Sequence, residues 1–219
     1  GVNSQLLSFF NRLDIRKNAD IKCLPRIIDY GLNPQMTCAF FQFEWIKGIT
    51  WKQFIESKSI EDPTQNIKKL LSSIIDLHSA SIHHGDIHPE NIIINDNGLV
   101  FIDIIELDES RYTPTYTPDN HENISKASID RYAIVKIISE LSDLMQLTHL
   151  KKYVNELLEL PEVSSQEIIK LHDELDNIII PTPLKLVNTF KIFLVLTQIK
   201  CSFLNINVEF TSKKIISVL

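Results

Sequence analysis

The spacing of apolar residues changes along the chain, and each change marks an element. Leu6, Leu7, Phe10 and Leu13 recur at helical spacing within Ser4–Leu13. Lys22–Asp29 and Thr37–Trp45 read as strands around the turn residues Gly31-Leu32-Asn33-Pro34. Gly48 breaks that pattern, and Thr50 is placed to cap a short helix running through Phe54. Pro63 sits where a first helical turn tolerates proline. Ile67, Leu70, Leu71, Ile74 and Leu77 then repeat at i, i+3, i+4 and i+7, which predicts a long amphipathic helix delivering the chain to His84.

Two short apolar runs follow, Ile92–Ile94 and Leu99–Ile102, separated by Asn95-Asp96-Asn97-Gly98. Asn-Gly tolerates the positive φ angles of a tight turn, so a β-hairpin is expected with Asn97-Gly98 as its loop. Glu106–Ser125 is polar, contains Pro114 and Pro118 and has no periodicity, which predicts an extended segment over the surface, of a length usually tied to function. Ile129, Ala133, Ile134, Ile137, Ile138 and Leu141 predict a helix with one broad apolar face at the centre of the core. Further helices are expected at Leu150–Leu158, at Gln166–Ile179 behind a Ser164/Glu167 capping box, and at Leu184–Ser202. Strand signals concentrate in the first half and helices in the second, with no internal repeat, which is the pattern of an α+β fold.

Composition narrows the function classes. A chain of 219 residues, 44% hydrophobic, has enough apolar material for one large domain or two small lobes. With 22 basic against 28 acidic residues the net charge is −6, and no dense Lys/Arg run exists, so neither a nucleic-acid nor an anionic-membrane surface is suggested. Proteins or small molecules are the expected partners. Cys23, Cys38 and Cys201 are odd in number and outside any CxxC arrangement, which fits a reducing, cytoplasmic setting, native or inside a host cell, with the cysteines as core hydrophobes. Leu184–Leu204 is interrupted by Lys185, Asn188, Lys191, Gln198 and Lys200, so it reads as buried helix, not as a membrane span. Gly1 in place of methionine points to a processed start or to a piece of something longer.

The chemistry concentrates in His83-His84-Gly85-Asp86-Ile87-His88-Pro89-Glu90-Asn91. An aspartate and an asparagine five residues apart, leading into a β-run, form the pattern of a phosphoryl-transfer loop, with Asp86 taking the acceptor proton and Asn91 holding a magnesium ion. If the hairpin loop is Asn97-Gly98, pairing carries Asn91 opposite Ile104 and within one residue of Asp103. A carboxylate and an amide oxygen then converge at the open end of the hairpin, where they could ligate a hard cation such as Mg²⁺.

These residues resemble the protein-kinase-like superfamily, from the third-helix region of its small lobe to the end of its large lobe. Phe43-Glu44-Trp45-Ile46-Lys47-Gly48 is similar to the hinge, with Phe43 as gatekeeper and the backbone of Glu44 and Ile46 available to adenine. The resemblance assigns Asp86 as catalytic aspartate, Asn91 as second-metal asparagine and Asp103, in Phe101-Ile102-Asp103, as metal aspartate. His84 would pack under the loop, Asp130 would be the buried helix aspartate bonded to the loop, and Thr113, in Tyr112-Thr113-Pro114, would orient Asp86. His88 stands where protein kinases carry a lysine, which places it near the transferred phosphoryl group. The resemblance implies ATP and Mg²⁺ as cofactors. It divides the chain into a partial small lobe over residues 1–45 and a helical large lobe over 46–219.

Departures from the family pattern open alternatives. His-Gly-Asp in place of His-Arg-Asp resembles the small-molecule phosphotransferase branch, which includes aminoglycoside and choline kinases, and bacterial kinase-like proteins. Tyr112–Asp119 resembles a substrate-facing segment and favours Ser/Thr of a protein as acceptor. With only five glycines, no glycine-rich phosphate loop can be drawn. The first glutamate is Glu44, and Lys17 and Lys22 read as surface charge, so the ATP-binding lysine and its partner are not found. Either a further amino-terminal segment or another chain completes the small lobe, or the protein is a pseudokinase-like binding module.

Overall fold

The structure, a computed structural model, describes residues 10, 11, 13, 14, 16–18, 21–33, 38–57, 62–96, 98–104 and 112–179. The helix expected over Leu184–Ser202 and Cys201 lie outside the described residues. Positions 10, 11, 13, 14 and 16–18 are helical and are termed α1. Phe10 and Leu13 of α1 pack on Ile27 with Tyr30, Phe41 and Phe43, forming a small apolar cluster of its own.

Strand β1 (Ile27–Leu32) runs antiparallel to β2 (Ala39–Phe43), with Ile27 opposite Phe43, Leu32 opposite Ala39 and a bulge between Ile27 and Asp29. The strand expected from Lys22 therefore starts five residues later. Leu24 N–H closes a turn onto Ile21 C=O at 3.1 Å, and Pro25 has no N–H to give a ladder. Cys23 is buried with its thiol donating to Ser73 C=O, whereas Cys38, expected in the core, is exposed beside β2.

The second sheet has the order β3-β4-β5, all antiparallel, from β3 (Ile49–Thr50), β4 (Ile92–Asn95) and β5 (Gly98–Phe101). Thr50 ends β3 and opens α2 (Trp51–Glu56) with a reciprocal capping box: its hydroxyl accepts Gln53 N–H while Gln53 Oε1 accepts Thr50 N–H. The hairpin register differs from the sequence expectation by two residues. Asn95 pairs with Gly98 and Ile92 with Phe101, so Asn91 faces Ile102 instead of Ile104. Asn95 Oδ1 accepts Gly98 N–H at 3.0 Å and Gly98 takes φ +143°, which closes the turn earlier.

Helix α3 (Pro63–Ser79) begins at Asp62, whose carboxylate accepts Gln65 N–H at 2.9 Å, and buries Ile67, Leu70, Leu71, Ile74 and Leu77. It packs against α4 (Lys126–Leu144), where Ala133, Ile134, Val135, Ile137, Ile138 and Leu141 are buried. Helices α5 (Thr148–Leu158) and α6 (Ser165–Ile179) complete this larger core. The Ser164/Glu167 box is present, with Ser164 N–H donating to Glu167 at 2.6 Å and Glu167 N–H to Ser164 Oγ at 3.3 Å. Trp51, fully buried, ties α2 to the same core.

The segment expected to lie extended before α4 is instead folded where it is described. Pro114–Tyr116 and His121–Asn123 are 3₁₀ turns, and Thr117 is buried with its hydroxyl donating to Thr113 C=O at 3.0 Å. Pro114 presets the φ of the first turn, and Tyr116 docks on α4 by donating to Glu140 at 3.0 Å. Among the described residues no helix is long and apolar enough to cross a membrane.

Candidate active site

Asp130 anchors the loop that precedes β4. The carboxylate is fully buried in α4 and accepts His84 N–H at 2.8 Å on Oδ2 and Gly85 N–H at 2.7 Å on Oδ1, with His78 Nε2 at 3.1 Å from Oδ2. Gly85 has φ +91°, a conformation open to glycine, and this lets two successive amides turn onto one carboxylate. The His78 contact was not foreseen, although a histidine in the last turn of α3, close to a loop rich in acids, was visible in the sequence.

His84 has its tautomer fixed by its neighbours. Asp86 N–H can only donate, so Nδ1 accepts it at 3.2 Å, and Ile102 C=O can only accept, so Nε2 carries the proton and donates at 2.8 Å. The ring is buried on the edge of Phe101, and burial pushes its pKa below the usual imidazole range against the opposing pull of Asp130. A neutral imidazole thus stitches the loop to the end of β5.

The same loop presents Asp86 and Asn91. Asp86 Oδ1 accepts the main-chain N–H of Thr113 at 2.8 Å, so Thr113 touches Asp86 through its backbone. His88 Nε2 lies 3.9 Å from Asp86 Oδ2, with its ring stacked on Tyr116 and its Nδ1 accepting Glu90 N–H at 3.4 Å. Asn91 Nδ2 donates to Asp86 C=O at 3.1 Å, which leaves Oδ1 as the free end of the amide, and Asn91 C=O accepts Ile102 N–H at 2.9 Å. Asp103 follows directly, exposed, with φ +57°. That left-handed backbone is costly for a residue with a Cβ and bends the chain out of the strand direction as it leaves β5. Among the described residues no ion pair engages Asp103. An amide oxygen and a free carboxylate are hard donors that suit Mg²⁺, so this pair fits such an ion.

A cleft of about 560 Å³ extends from Asp103 between the two sheets. Its lining includes Phe43, Glu44, Trp45, Ile46 and Gly48 on one side and Ile93, Ile102 and Ile104 on the other, with Arg16 of α1 also in the wall. Gly48 is needed there, because a Cβ would come within 2.4 Å of Ile94 O. Glu44 N–H is already bonded to Arg26 C=O at 3.0 Å, so of the two backbone positions expected to face adenine, Glu44 can offer only its carbonyl. Trp45 is 91% exposed at the rim. Asn91, Asp86 and His88 are outside the cleft wall, and Asn91 is tied to it by the bond of its carbonyl to Ile102, which lines the cleft beside Asp103. Arg16 carries no sequence signal of its own, standing beside Lys17 in a segment that reads as surface charge.

No family model and no curated protein matches the chain. Among solved structures, it is similar to the crystal structure of Rad53 1-466 in complex with AMP-PNP, with a TM-score of 0.56 and 16% identity over 73% of this chain and 51% of that one. This chain has a protein-kinase-like fold. It spans about half the length of the solved chain it matches. The likeness concerns the fold; function is argued from the side chains.

Proposed function

We propose that the chain is an ATP- and Mg²⁺-dependent phosphotransferase that moves a γ-phosphoryl group to a hydroxyl, most simply a Ser/Thr hydroxyl of a protein. The observation that carries this reading is the linkage of Asp86, Asn91 and Asp103: Asn91 bonds the Asp86 carbonyl with its side chain and the amide before Asp103 with its own carbonyl. A turn that merely capped itself would have no need to hold a free carboxylate and an amide oxygen beside an apolar cleft.

In this reading the cleft takes adenine against Phe43, with Glu44 C=O and the Ile46 backbone as polar partners, and Asn91 and Asp103 hold the metal. When bound, Mg²⁺ neutralises the phosphate charge that develops in transfer. Asp86 accepts the proton of the acceptor hydroxyl, its carboxylate aimed by Thr113 N–H. His88, between Asp86 and Tyr116, presents its Nε2–H toward the reacting region and supports the phosphoryl group or the aspartate. Asp130 and His84 hold this loop in shape from beneath. Catalysis is then mainly positioning and charge stabilisation. The 3₁₀ turn at Pro114–Tyr116, docked beside Asp86, is the natural seat for an acceptor segment of a protein.

The test is a thermal-shift titration with ATP, with and without Mg²⁺, on the wild type and on Asp103→Asn, followed by phosphoryl transfer by Asp86→Ala. A ligand at about 100 times its Kd stabilises by about 2.7 kcal/mol, so a rise of several degrees is expected that needs Mg²⁺ and is lost in Asp103→Asn. Asp86→Ala should keep the shift and lose transfer by about 10²–10⁴-fold. No shift in the wild type would instead favour a binding module that keeps the lobe as a platform.

A further inference from the structure

The root of the loop, where the chain leaves α3, carries a group of side chains that the chemistry above does not use. His78 lies in the last turn of α3, and the chain then doubles back through a left-handed residue, Ser81 at φ +58°. Ser81 N–H returns to His78 C=O at 2.9 Å and Ile82 N–H to Leu77 C=O at 3.2 Å, the paired bonds that end a helix on a tight reversal. His83 is thereby brought against His78, with the ring centroids 5.3 Å apart and the planes at 68°. Asp130 of α4 completes the group. His78 Nε2 stands 3.1 Å from Asp130 Oδ2, and one donor atom from each of His78, His83 and Asp130 lies within 4.8 Å of the other two. Among the described residues these are the only three His, Cys, Asp or Glu side chains so placed.

The spacing suits a tetrahedral ion. Zinc holds nitrogen and oxygen at about 2.0–2.2 Å, which sets neighbouring ligand atoms roughly 3.3 Å apart. The His78–Asp130 pair is already close to that distance, and the longest separation has to shorten by no more than about 1.5 Å. His83 is exposed, so its ring is free to turn inward, and it leaves a path of entry and room for water as fourth ligand. A carboxylate oxygen accepts from two directions. Asp130 Oδ2 therefore keeps His84 N–H and gives the metal the direction that His78 Nε2 now takes, while Oδ1 keeps Gly85 N–H. His78 then carries its ring proton on Nδ1. These two amides would orient the ligating carboxylate from behind. Among the described residues no lysine or arginine pairs with this fully buried carboxylate, and Arg131 beside it is spent on Glu162, Ser128 and Val163 C=O. A metal cation held by two imidazoles supplies the positive charge that a buried carboxylate favours.

We infer that His78, His83 and Asp130 form a site for a divalent transition metal of the Zn²⁺ class at the root of the loop, sharing no ligand with Asn91 and Asp103. Two imidazoles and one carboxylate select Zn²⁺ over Mg²⁺, which prefers an oxygen shell and sheds its water reluctantly. The ion pins the end of α3, the head of the loop and α4 together, and so acts on the segment that carries Asp86. The site stands whether or not the cleft takes a nucleotide.

The experiment is a calorimetric titration of the chelator-stripped, tag-free full chain with Zn²⁺ and with Mg²⁺, for the wild type, His83→Ala and His78→Gln, with His149→Ala and Cys38→Ser as controls at exposed positions. The wild type should take up Zn²⁺, and excess Mg²⁺ should not displace it. Loss of a residue that only supports a ligand costs about 10–100-fold in metal affinity, so loss of a ligand in His83→Ala or His78→Gln should cost more than about 100-fold. The two controls should bind Zn²⁺ as the wild type does. Co²⁺ should give the wild type the intense visible absorption of a tetrahedral ion, absent in His83→Ala. Zn²⁺ should raise the melting temperature of the wild type and leave that of His83→Ala unchanged. Should His78→Gln fail to fold, His83→Ala decides alone, since its side chain is exposed and outside the core. Zn²⁺ affinity unaltered in His83→Ala, affinity lost equally in either control, or a wild type that takes up no Zn²⁺ overturns the inference and leaves the phosphotransferase reading as it is.

Discussion

Around Asp130 every loop amide that turns inward has an acceptor, whereas across the cleft Arg16 holds two buried donors with none. The first region is fixed by hydrogen bonds of the loop to the Asp130 carboxylate of α4, which His78 of α3 also meets, and to the Ile102 carbonyl at the end of β5. The second is fixed by apolar contact of α1 with two short strands and ends in an exposed tryptophan. One side has its inward polar atoms paired and the other does not. On the proposed function the loop is the part that must hold reacting groups to fractions of an ångström, and its complete hydrogen bonding suits that duty.

The sharpest way to break the first region is Asp130→Ala. Two main-chain N–H groups and His78 would lose the acceptor that a fully buried carboxylate gives them, and removal of one partner from a buried charged network costs about 3–5 kcal/mol. Urea unfolding should show a loss of that size together with loss of phosphoryl transfer. Asp130→Asn keeps one acceptor oxygen and should recover roughly half of the stability. If Asp130→Ala unfolds at the wild-type urea concentration, the loop is held by something other than this carboxylate.

The cleft wall offers a weaker fracture at Gly48. A Cβ there would sit 2.4 Å from Ile94 O and 2.6 Å from Ile93 Cγ2, which forces the segment carrying Glu44 and Ile46 away from β4. Overpacking of this kind costs about 1–3 kcal/mol. Gly48→Ala should therefore weaken nucleotide binding along with stability, while the pH response of the loop stays as in the wild type. Equal nucleotide affinity in the two proteins would mean that the cleft beside Gly48 is not where the nucleotide sits.

The same contrast explains what the sequence made legible. The long helix into the loop, the hairpin and the Ser164/Glu167 box follow from local patterns of period and capping, the kinase-like architecture follows from the resemblance of the hinge and loop motifs, and the structure has them. The hairpin register was displaced by two residues because it depended on whether Asn95 or Asn97 closed the turn, a choice made by one side-chain hydrogen bond. The segment before α4 reads as extended in the sequence because its 3₁₀ turns are held by the docking of Tyr116 on α4 and by the Thr117–Thr113 bond, which leave no periodic trace. Asp86, Asn91 and Asp103 were nameable because they lie close to the same hairpin. Arg16 is not, since its place over Phe43 depends on how α1 packs on the first sheet, and an arginine among Lys17, Lys22 and Arg26 looks like one more surface charge.

The smallest expected effect is a slope in pH, and it separates the two regions without removing either. Burial holds the His84 pKa below that of an unfolded histidine, near 6.5, so on acidification the unfolded chain takes a proton that the folded chain resists. The stability attached to a neutral His84 is present above pH 6.5 and is lost as pH falls through the folded value, because protonation of Nδ1 removes the acceptor of Asp86 N–H. His83 is shifted the same way, by burial and then by the neighbouring His78, but its ring is exposed and its share should be smaller. Urea midpoints measured between pH 7.5 and about pH 5 should fall in the wild type, fall less steeply in His84→Gln, and be barely altered in slope by His83→Gln. An identical slope in His84→Gln would show that this imidazole is not buried in its neutral form. Arg16→Met should leave the slope untouched over this range, since its guanidinium titrates only near pH 10, and its melting temperature would then report on the cleft wall alone.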